Sequence, residues 1–447
     1  MRPPASQADP SEESLCDVLV IGGGPAGSTA AALLAEKGHR VTLLEKDRHP
    51  RFHIGESLLP ANLPLLERLG VLPEVEAIGQ RKLGAELVSP WHEHQQSFEL
   101  ADAWDKSMPS AFQVRRSEFD RILIDNAQRK GAEVIQGCRV REIALSESRG
   151  PRIEAGHEDG RRRSWRSRFL VDASGRDTFL GNRLEAKHRN PKHNSSAVYA
   201  HFRGARRHEG KKEGHISIFW FAHGWYWFIP LSDGVTSVGM VTWPYHLKTR
   251  RGSLQDFFLE NIAQCRGLAE RLVQAELVSE VQATGNFSYA CDRSHGSDYV
   301  LLGDAYAFID PVFSSGVMLA MNSAFAGAEA VDTCLRRPEQ AAAALADFDR
   351  IMRHGPETFS WFIYRITNPT LRNLFMAPRN FFRVKEALLS VLAGDIFGKK
   401  PIWRSVRIFK AIYYISALAS PVRSLRAWLR HKEEILSVED RLDTGER

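Results

Sequence analysis

Hydrophobic residues along this chain follow two periods, and the changeover falls at glycine turns. Residues 17–21, Asp-Val-Leu-Val-Ile, make a short β-type run into Gly22-Gly23-Gly24-Pro25-Ala26-Gly27, after which small apolar residues continue at helical spacing over 28–37. A second strand pattern over 40–44 ends at Glu45, and Val114-Arg115-Arg116-Ser117-Glu118 opens an amphipathic helix to about residue 130. Further strand patterns cover 169–172, 215–221, 226–230 and 235–243, and an apolar strand ends at Leu301-Leu302-Gly303-Asp304 before a helix rich in small residues. From about residue 347 the pattern is helical. This order predicts an α/β fold: a Rossmann-like dinucleotide-binding domain from residues 15–85, 112–190 and 285–345, with a mixed β-sheet substrate domain from 86–111 and 191–284. A helical C-terminal extension follows over 346–447, and residues 1–14, rich in Pro, Ser and Glu, read as a flexible tail rather than a signal peptide.

The first glycine turn carries definite chemistry. Gly22 permits a tight turn, Gly24 lets backbone approach a pyrophosphate, and Gly27 permits close helix–strand packing, with the helix N-terminus facing the phosphates. Glu45 stands about 20 residues on, where a carboxylate accepts hydrogen bonds from a ribose hydroxyl. Strand, turn, helix and acid together point to a bound dinucleotide.

Composition excludes several classes. The chain has 447 residues, 43% hydrophobic and 26% charged, enough for two or three packed domains and without the signature of disorder. Its five cysteines are scattered with no CxxC pair, which argues against a disulfide framework or structural zinc and makes a reduced, cytoplasmic setting the expectation. No apolar run reaches the roughly 18 residues of a membrane span. A net charge of +6 without basic runs interleaved with aromatics argues against nucleic acid, although much of the excess lies in the last hundred residues, where an acidic partner has a surface to meet. Trp91-His92-Glu93-His94 places two histidines on one face of a strand but brings no third ligand, so a solvated strand is expected and no metal site. No GxSxG elbow supports serine hydrolysis.

Arg116, the Gly303-Asp304 pair and Phe169-Leu170-Val171-Asp172-Ala173-Ser174-Gly175 resemble elements of the FAD-dependent monooxygenase superfamily. Three further motifs resemble the flavin-dependent halogenases. Trp225-Tyr226-Trp227-Phe228-Ile229-Pro230 fits WxWxIP, and Phe308-Ile309-Asp310-Pro311-Val312-Phe313-Ser314-Ser315-Gly316 fits FxxPxxSxG. Gly55-Glu56-Ser57-Leu58-Leu59-Pro60 is similar to the family's flavin-contacting strap, and Lys82 follows at about the distance of its catalytic lysine. Segments 368–375 and 392–397 look similar to the C-terminal extension of members that act on phenols, pyrroles or carrier-tethered acyl groups.

The resemblance implies FAD as cofactor, with Gly22, Gly24, Pro25, Ala26, Gly27, Glu45, Lys46, Ser57, Arg116, Asp304, Pro311, Gly316 and Val317 as its binding residues. It implies chloride or bromide at Ser315 and Gly316, a substrate pocket walled by Trp225, Trp227 and Phe313, and Lys82 as the catalytic residue. Elementary chemistry agrees at each point. Trp225 and Trp227, two apart on a strand, share a face; amides at a helix start bind an anion; a buried lysine loses its proton readily and can then hold hypohalous acid or form a haloamine.

The implied reaction uses reduced FAD, dioxygen and halide to make hypohalous acid, which Lys82 directs onto an electron-rich ring. With one dinucleotide fingerprint, reduced flavin is expected from a separate NAD(P)H-dependent flavin reductase. Tryptophan-specific members carry a glutamate where this chain has Phe313, so the expected substrate is a small phenol or pyrrole, free or on an acyl or peptidyl carrier protein, and not free tryptophan. A hydroxylase or prenyl-chain reductase of the same superfamily is the first alternative, and a catalytically silent flavoprotein the second. Phe409, Ile412, Tyr413 and Leu418, beside Arg404, Arg407 and Lys410, are expected to face the substrate or its carrier.

Overall fold

The computed structural model describes residues 13–145, 149–190, 193–285, 288–419 and 429, so nearly all of the expected N-terminal tail lies outside the described residues. The tail's expected end is corrected: Ser14 opens the first strand, and Glu13 accepts hydrogen bonds from Arg152 Nε at 3.0 Å and Arg166 Nε at 2.7 Å.

Strand Ser14–Ile21 is central in a seven-stranded sheet, between Val41–Glu45 and Arg162–Asp172, with Glu133–Gln136 beyond Val41–Glu45. These strands pair in parallel, and parallel strands are covered on both faces, which is why the run Val18-Leu19-Val20 is apolar throughout and fully buried. Helix Pro25–Glu36 packs on the sheet and against helices Arg116–Arg129 and Gly316–Arg336. It begins three residues before the hydrophobic pattern does, because Pro25 in the first turn fixes the helical φ and has no amide to leave unpaired.

Arg162–Asp172 changes partner along its length. Its first half pairs antiparallel with Arg152–His157, and its last three residues pair parallel with Tyr299–Leu301. The turns after Ile21, Asp172 and Leu301 therefore meet at one carboxyl edge, where open α/β sheets bind ligands.

A second, eight-stranded mixed sheet stands over that edge; Gly84–Val88 and Ile216–Phe221 form its parallel pair. Its strands separate two cores by alternation. Trp225, Trp227 and Ile229 share a core with the C-terminal helices, whereas Tyr226 and Phe228 face helices Leu254–Gln264 and Arg266–Leu272.

The C-terminal helices are Ala341–Ile363, Pro369–Met376, Val384–Leu392 and Trp403–Leu418, and the boundary expected at 346 falls inside the first of them. They are fastened beside the second sheet by Arg372 stacked 3.6 Å over Trp91, in the turn before strand Gln96–Glu99, and Arg383 stacked 3.5 Å over Trp104, just after that strand. Two residues expected to face a partner do not: Phe409 and Tyr413 are buried, Phe409 stacking on Phe362 and Phe375, because the apolar stripe of Trp403–Leu418 is spent on the core. Ile412 is half-buried and Leu418 exposed. Among the described residues no helix is long and apolar enough to cross a membrane.

A Cβ on Gly27 would lie 1.9 Å from the Gly22 carbonyl oxygen and 3.2 Å from Ala173 Cβ, with backbone on the blocking side. Gly27→Ala is expected to cost about 3 kcal/mol or more in urea unfolding. Gly70→Ala, at a left-handed cap with open space around it, should cost only about 1 kcal/mol in the same measurement.

Candidate functional site

A cavity of about 700 Å³ runs along the carboxyl edge of the first sheet and under the second. That size falls within the usual range for small-molecule sites, about 300–1,000 Å³. Gly22, Gly24, Pro25, Ala26, Glu45, Lys46, Ser57, Arg116, Asp304, Pro311, Gly316 and Val317 all line it, as do Trp225 and Trp227. Gly27 is not a lining residue; it sits behind the turn as a packing position.

The backbone is bare where a cofactor would meet it. Among the described residues a Cβ on Gly24 would find nothing nearer than Arg51 Nη2 at 3.8 Å, and one on Gly316 nothing within 4 Å, although both residues line the cavity. Gly24 and Gly316 stand at the N-terminal ends of helices of 12 and 21 residues, so unpaired first-turn amides and the positive end of each helix lie at the cavity.

Glu45 takes a hydrogen bond from the Gly23 amide at 2.5 Å and from the Asp47 amide at 2.8 Å, so it braces the glycine turn as well as lining the space where a ribose would lie. Lys46 pairs with Asp177. Arg116 is gripped by Asp120, four residues on, through Nε at 2.8 Å and Nη2 at 3.0 Å, and donates from Nη1 to the Ile54 carbonyl at 2.9 Å. Burial pushes the Asp304 carboxyl up to about 6, against the pull of Arg176 and Arg116. Anion-binding turns, a ribose acceptor, fixed cations and apolar walls fit a dinucleotide with an aromatic ring, as FAD has.

Lys82 lies behind the strap. It ends the short strand Gln80–Lys82, paired with Ala111–Gln113, and its ammonium donates to the Leu58 carbonyl at 2.5 Å and to Ser57 Oγ at 2.9 Å. Ser57 lines the cavity while Lys82 is buried behind it, and that burial depresses the amine to about 7. The strap is held on its other flank by Glu56, whose Oε1 lies 2.7 Å from His201 Nε2 on the second sheet.

Residues 311–316 form a tight turn with Ser314 in the left-handed region (φ 56°). Asp310 organises it: Oδ1 accepts from the Val312 amide at 3.2 Å, and Oδ2 accepts from Ser195 Oγ at 2.7 Å and His193 Nε2 at 2.9 Å. Ser315 Oγ is buried and has no hydrogen-bond partner among the described residues, beside the amide of Gly316. Phe313 is not among the residues lining this cavity; its ring packs against Phe359 and Phe362 of helix Ala341–Ile363. Trp227 is fixed by a 3.1 Å hydrogen bond from its indole to Ser237 Oγ, and only glycine at 239 leaves room for its ring.

His92 and His94 lie in a bend between strands and not on one, with His94 Nε2 2.7 Å from the Met376 carbonyl; among the described residues no group of three or more ligands is placed to hold a metal. Sequence reasoning missed Asp120, Asp310, His193, Ser195, His201 and Glu56 as organising residues. Only the Arg116–Asp120 pair had a local signal, its helical i, i+4 spacing.

A family model for the FAD binding domain matches residues 15–347. Over 407 residues the chain is 30% identical to a 1H-pyrrole-2-carbonyl-[peptidyl-carrier protein] chlorinase of Pseudomonas fluorescens, covering 86% of this chain and 90% of that one. It is 35% identical to the tryptophan 2-halogenase of Chondromyces crocatus, covering 74% of this chain and 64% of that protein. Among solved structures, a flavoprotein/dehydrogenase of Cytophaga hutchinsonii superposes with a TM-score of 0.83 at 30% identity, covering 91% of this chain and 100% of that one. The myxobacterial chondrochloren halogenase superposes with a TM-score of 0.76 at 30% identity, covering 90% and 97%.

Gly24→Val is expected to fold normally yet purify without yellow colour, since the added methyls enter only the cavity; flavin absorbance and a urea curve together check this. Lys82 gives a pH signature. The unfolded chain keeps this proton up to about 10.5, whereas the folded chain has released it above about 7, so rising pH between those values favours the folded state. Wild type should therefore gain about 3–4 kcal/mol relative to Lys82→Met between pH 7 and 10, read by denaturation across that range.

Proposed function

Since the chain belongs to the flavin-dependent halogenase family, we propose that Lys82 receives hypohalous acid generated at the FAD cavity and delivers its halogen to a phenol or pyrrole, free or carried on a carrier protein. One observation carries the assignment: a buried amine with its pKa depressed to about 7, hydrogen-bonded to Ser57, a residue that lines the cavity. At neutral pH a substantial share of such an amine is unprotonated, so its lone pair can hold HOX or take the halogen from it.

Reduced FAD, when bound, supplies two of the four electrons that take dioxygen to water and hypohalous acid, the halide giving the other two. The chain's own residues do the rest. Gly24 and the amides at the start of Pro25–Glu36 would hold the pyrophosphate and Glu45 a ribose hydroxyl, with Arg116 and Asp304, which also line the cavity, left for the rest of the cofactor. Chloride or bromide binds at the amides of Ser315 and Gly316, where the Asp310 anchor holds the turn and the buried Ser315 hydroxyl is available as a donor. Trp225 and Trp227 wall the cavity, so oxidant passes along the strap toward Lys82 instead of meeting substrate at the flavin. A ring C–H then becomes C–X and water is released.

A separate NAD(P)H-dependent flavin reductase supplies the reduced cofactor. Position 313 is a phenylalanine packed against Phe359 and Phe362 and offers no carboxylate to a ring proton, which suits a substrate whose own oxygen or nitrogen stabilises the cation, a phenol or a pyrrole. The carrier-linked pyrrole named for the Pseudomonas relative supports this choice, and the relative named for tryptophan makes that amino acid the necessary comparison.

Lys82→Ala should retain FAD and still consume oxygen while halogenated product falls at least 100-fold. Mass spectrometry with reduced FAD, oxygen and each halide, on phenolic, pyrrolic and tryptophan substrates, measures this. Substantial product from the variant would remove Lys82 from the reaction; halide-independent turnover would favour a reductase or hydroxylase, and turnover of tryptophan alone would overturn the substrate class.

A further inference from the structure

The charge of this chain is concentrated. Residues 377–410 hold eight lysines and arginines against two carboxylates, an excess equal to the +6 of the entire chain, so the remainder is formally neutral. Within this segment Phe381 and Phe382 are exposed, 62% and 73%, although each is a large apolar ring. The backbone bears strain to keep them there: Phe382 and Arg383 both lie in the left-handed region, at φ 53° and 58°, where residues with a Cβ are uncommon. Arg383 is compensated by its stack on Trp104 and its pairing with Glu386. Phe382 gains no such burial.

This knuckle is tied to the ground beside Lys82. Leu83, the next residue, accepts a hydrogen bond at 2.8 Å from the Leu100 amide. The segment that follows Leu100 is held under the knuckle through Asp102 to Lys385 at 2.9 Å and through Trp104 to Arg383. Ser405 Oγ, next to Arg404, donates to the Phe382 carbonyl at 2.8 Å and brings the first turn of Trp403–Leu418 alongside.

We infer that Phe381, Phe382 and the flanking Arg379 and Arg404 form the docking surface for an acidic carrier domain that presents its tethered substrate toward Lys82. Two exposed aromatic rings bordered by exposed arginines are the composition of a protein-binding hot spot, and the local positive charge complements an acidic partner. This rests on the carrier-linked substrate reading of the preceding section.

The test uses the full-length holoenzyme and one acyl group on two supports: pyrrole-2-carboxylate thioesterified to an acidic peptidyl carrier domain, and the same acid thioesterified to pantetheine. Phe381→Ser with Phe382→Asn, the asparagine chosen to keep the left-handed turn, and separately Arg379→Glu with Arg404→Glu, should lower kcat/KM on the carrier at least tenfold and leave the pantetheine thioester unchanged. The charge reversal should matter more at 20 mM salt than at 500 mM. Equal losses on both supports, or none on the carrier, would overturn the surface. Wild-type turnover of free phenol but of neither thioester would overturn the carrier reading itself. Carrier turnover untouched by the substitutions, with loss of binding to phosphatidylserine vesicles, would assign the knuckle to a membrane instead.

Discussion

A lysine amine kept from water must find its acceptors in the protein, and the acceptors available to Lys82 are Ser57 Oγ and the Leu58 carbonyl. Both belong to the strap, so the strap cannot move without stranding a buried polar group. The same strap is paired to residues 112–114 by backbone hydrogen bonds, is held to the second sheet by Glu56 and His201, and contributes Gly55, Glu56 and Ser57 to the cavity wall. Cofactor cavity, strap and lysine therefore form one mechanical unit. The position of the amine relative to the cavity is tied to the strap that supplies both of its acceptors.

Much of this could be read along the chain. The glycine turn was legible because each glycine has a local steric task, and local tasks leave local spacing: Gly22 meets Ala173, Gly27 meets Gly22, Gly24 meets only the cavity. The strand around Trp225 was legible because an unbroken run of aromatic and β-branched residues closed by Pro230 suits a strand buried on both faces. What periodicity gives is the set of residues that share a face, and it is silent on which element they face. Phe313 and the pair Phe409 and Tyr413 illustrate that silence: each is apolar at a suitable spacing, and each is claimed by the aromatic cluster around Phe362.

Long-range polar partners left no trace at all. Asp310 is held by Ser195 and His193 across 115 and 117 residues, and Glu56 meets His201 across 145. No rule of spacing joins such positions; only the crossing of the two sheets does. These pairs nonetheless fix the turn at residues 311–316 and the strap.

The parity of the strand Gly224–Pro230 has a consequence beyond packing. Odd-numbered residues reach the cavity and the C-terminal helices, even-numbered ones reach a separate core with helices Leu254–Gln264 and Arg266–Leu272. Volume changes on one side are absorbed by neighbours that do not belong to the other. The sheet thus works as a bulkhead: a change of volume at an odd position is felt by the cavity and the C-terminal helices, while the packing of the even positions against the helices on the other face is left as it was.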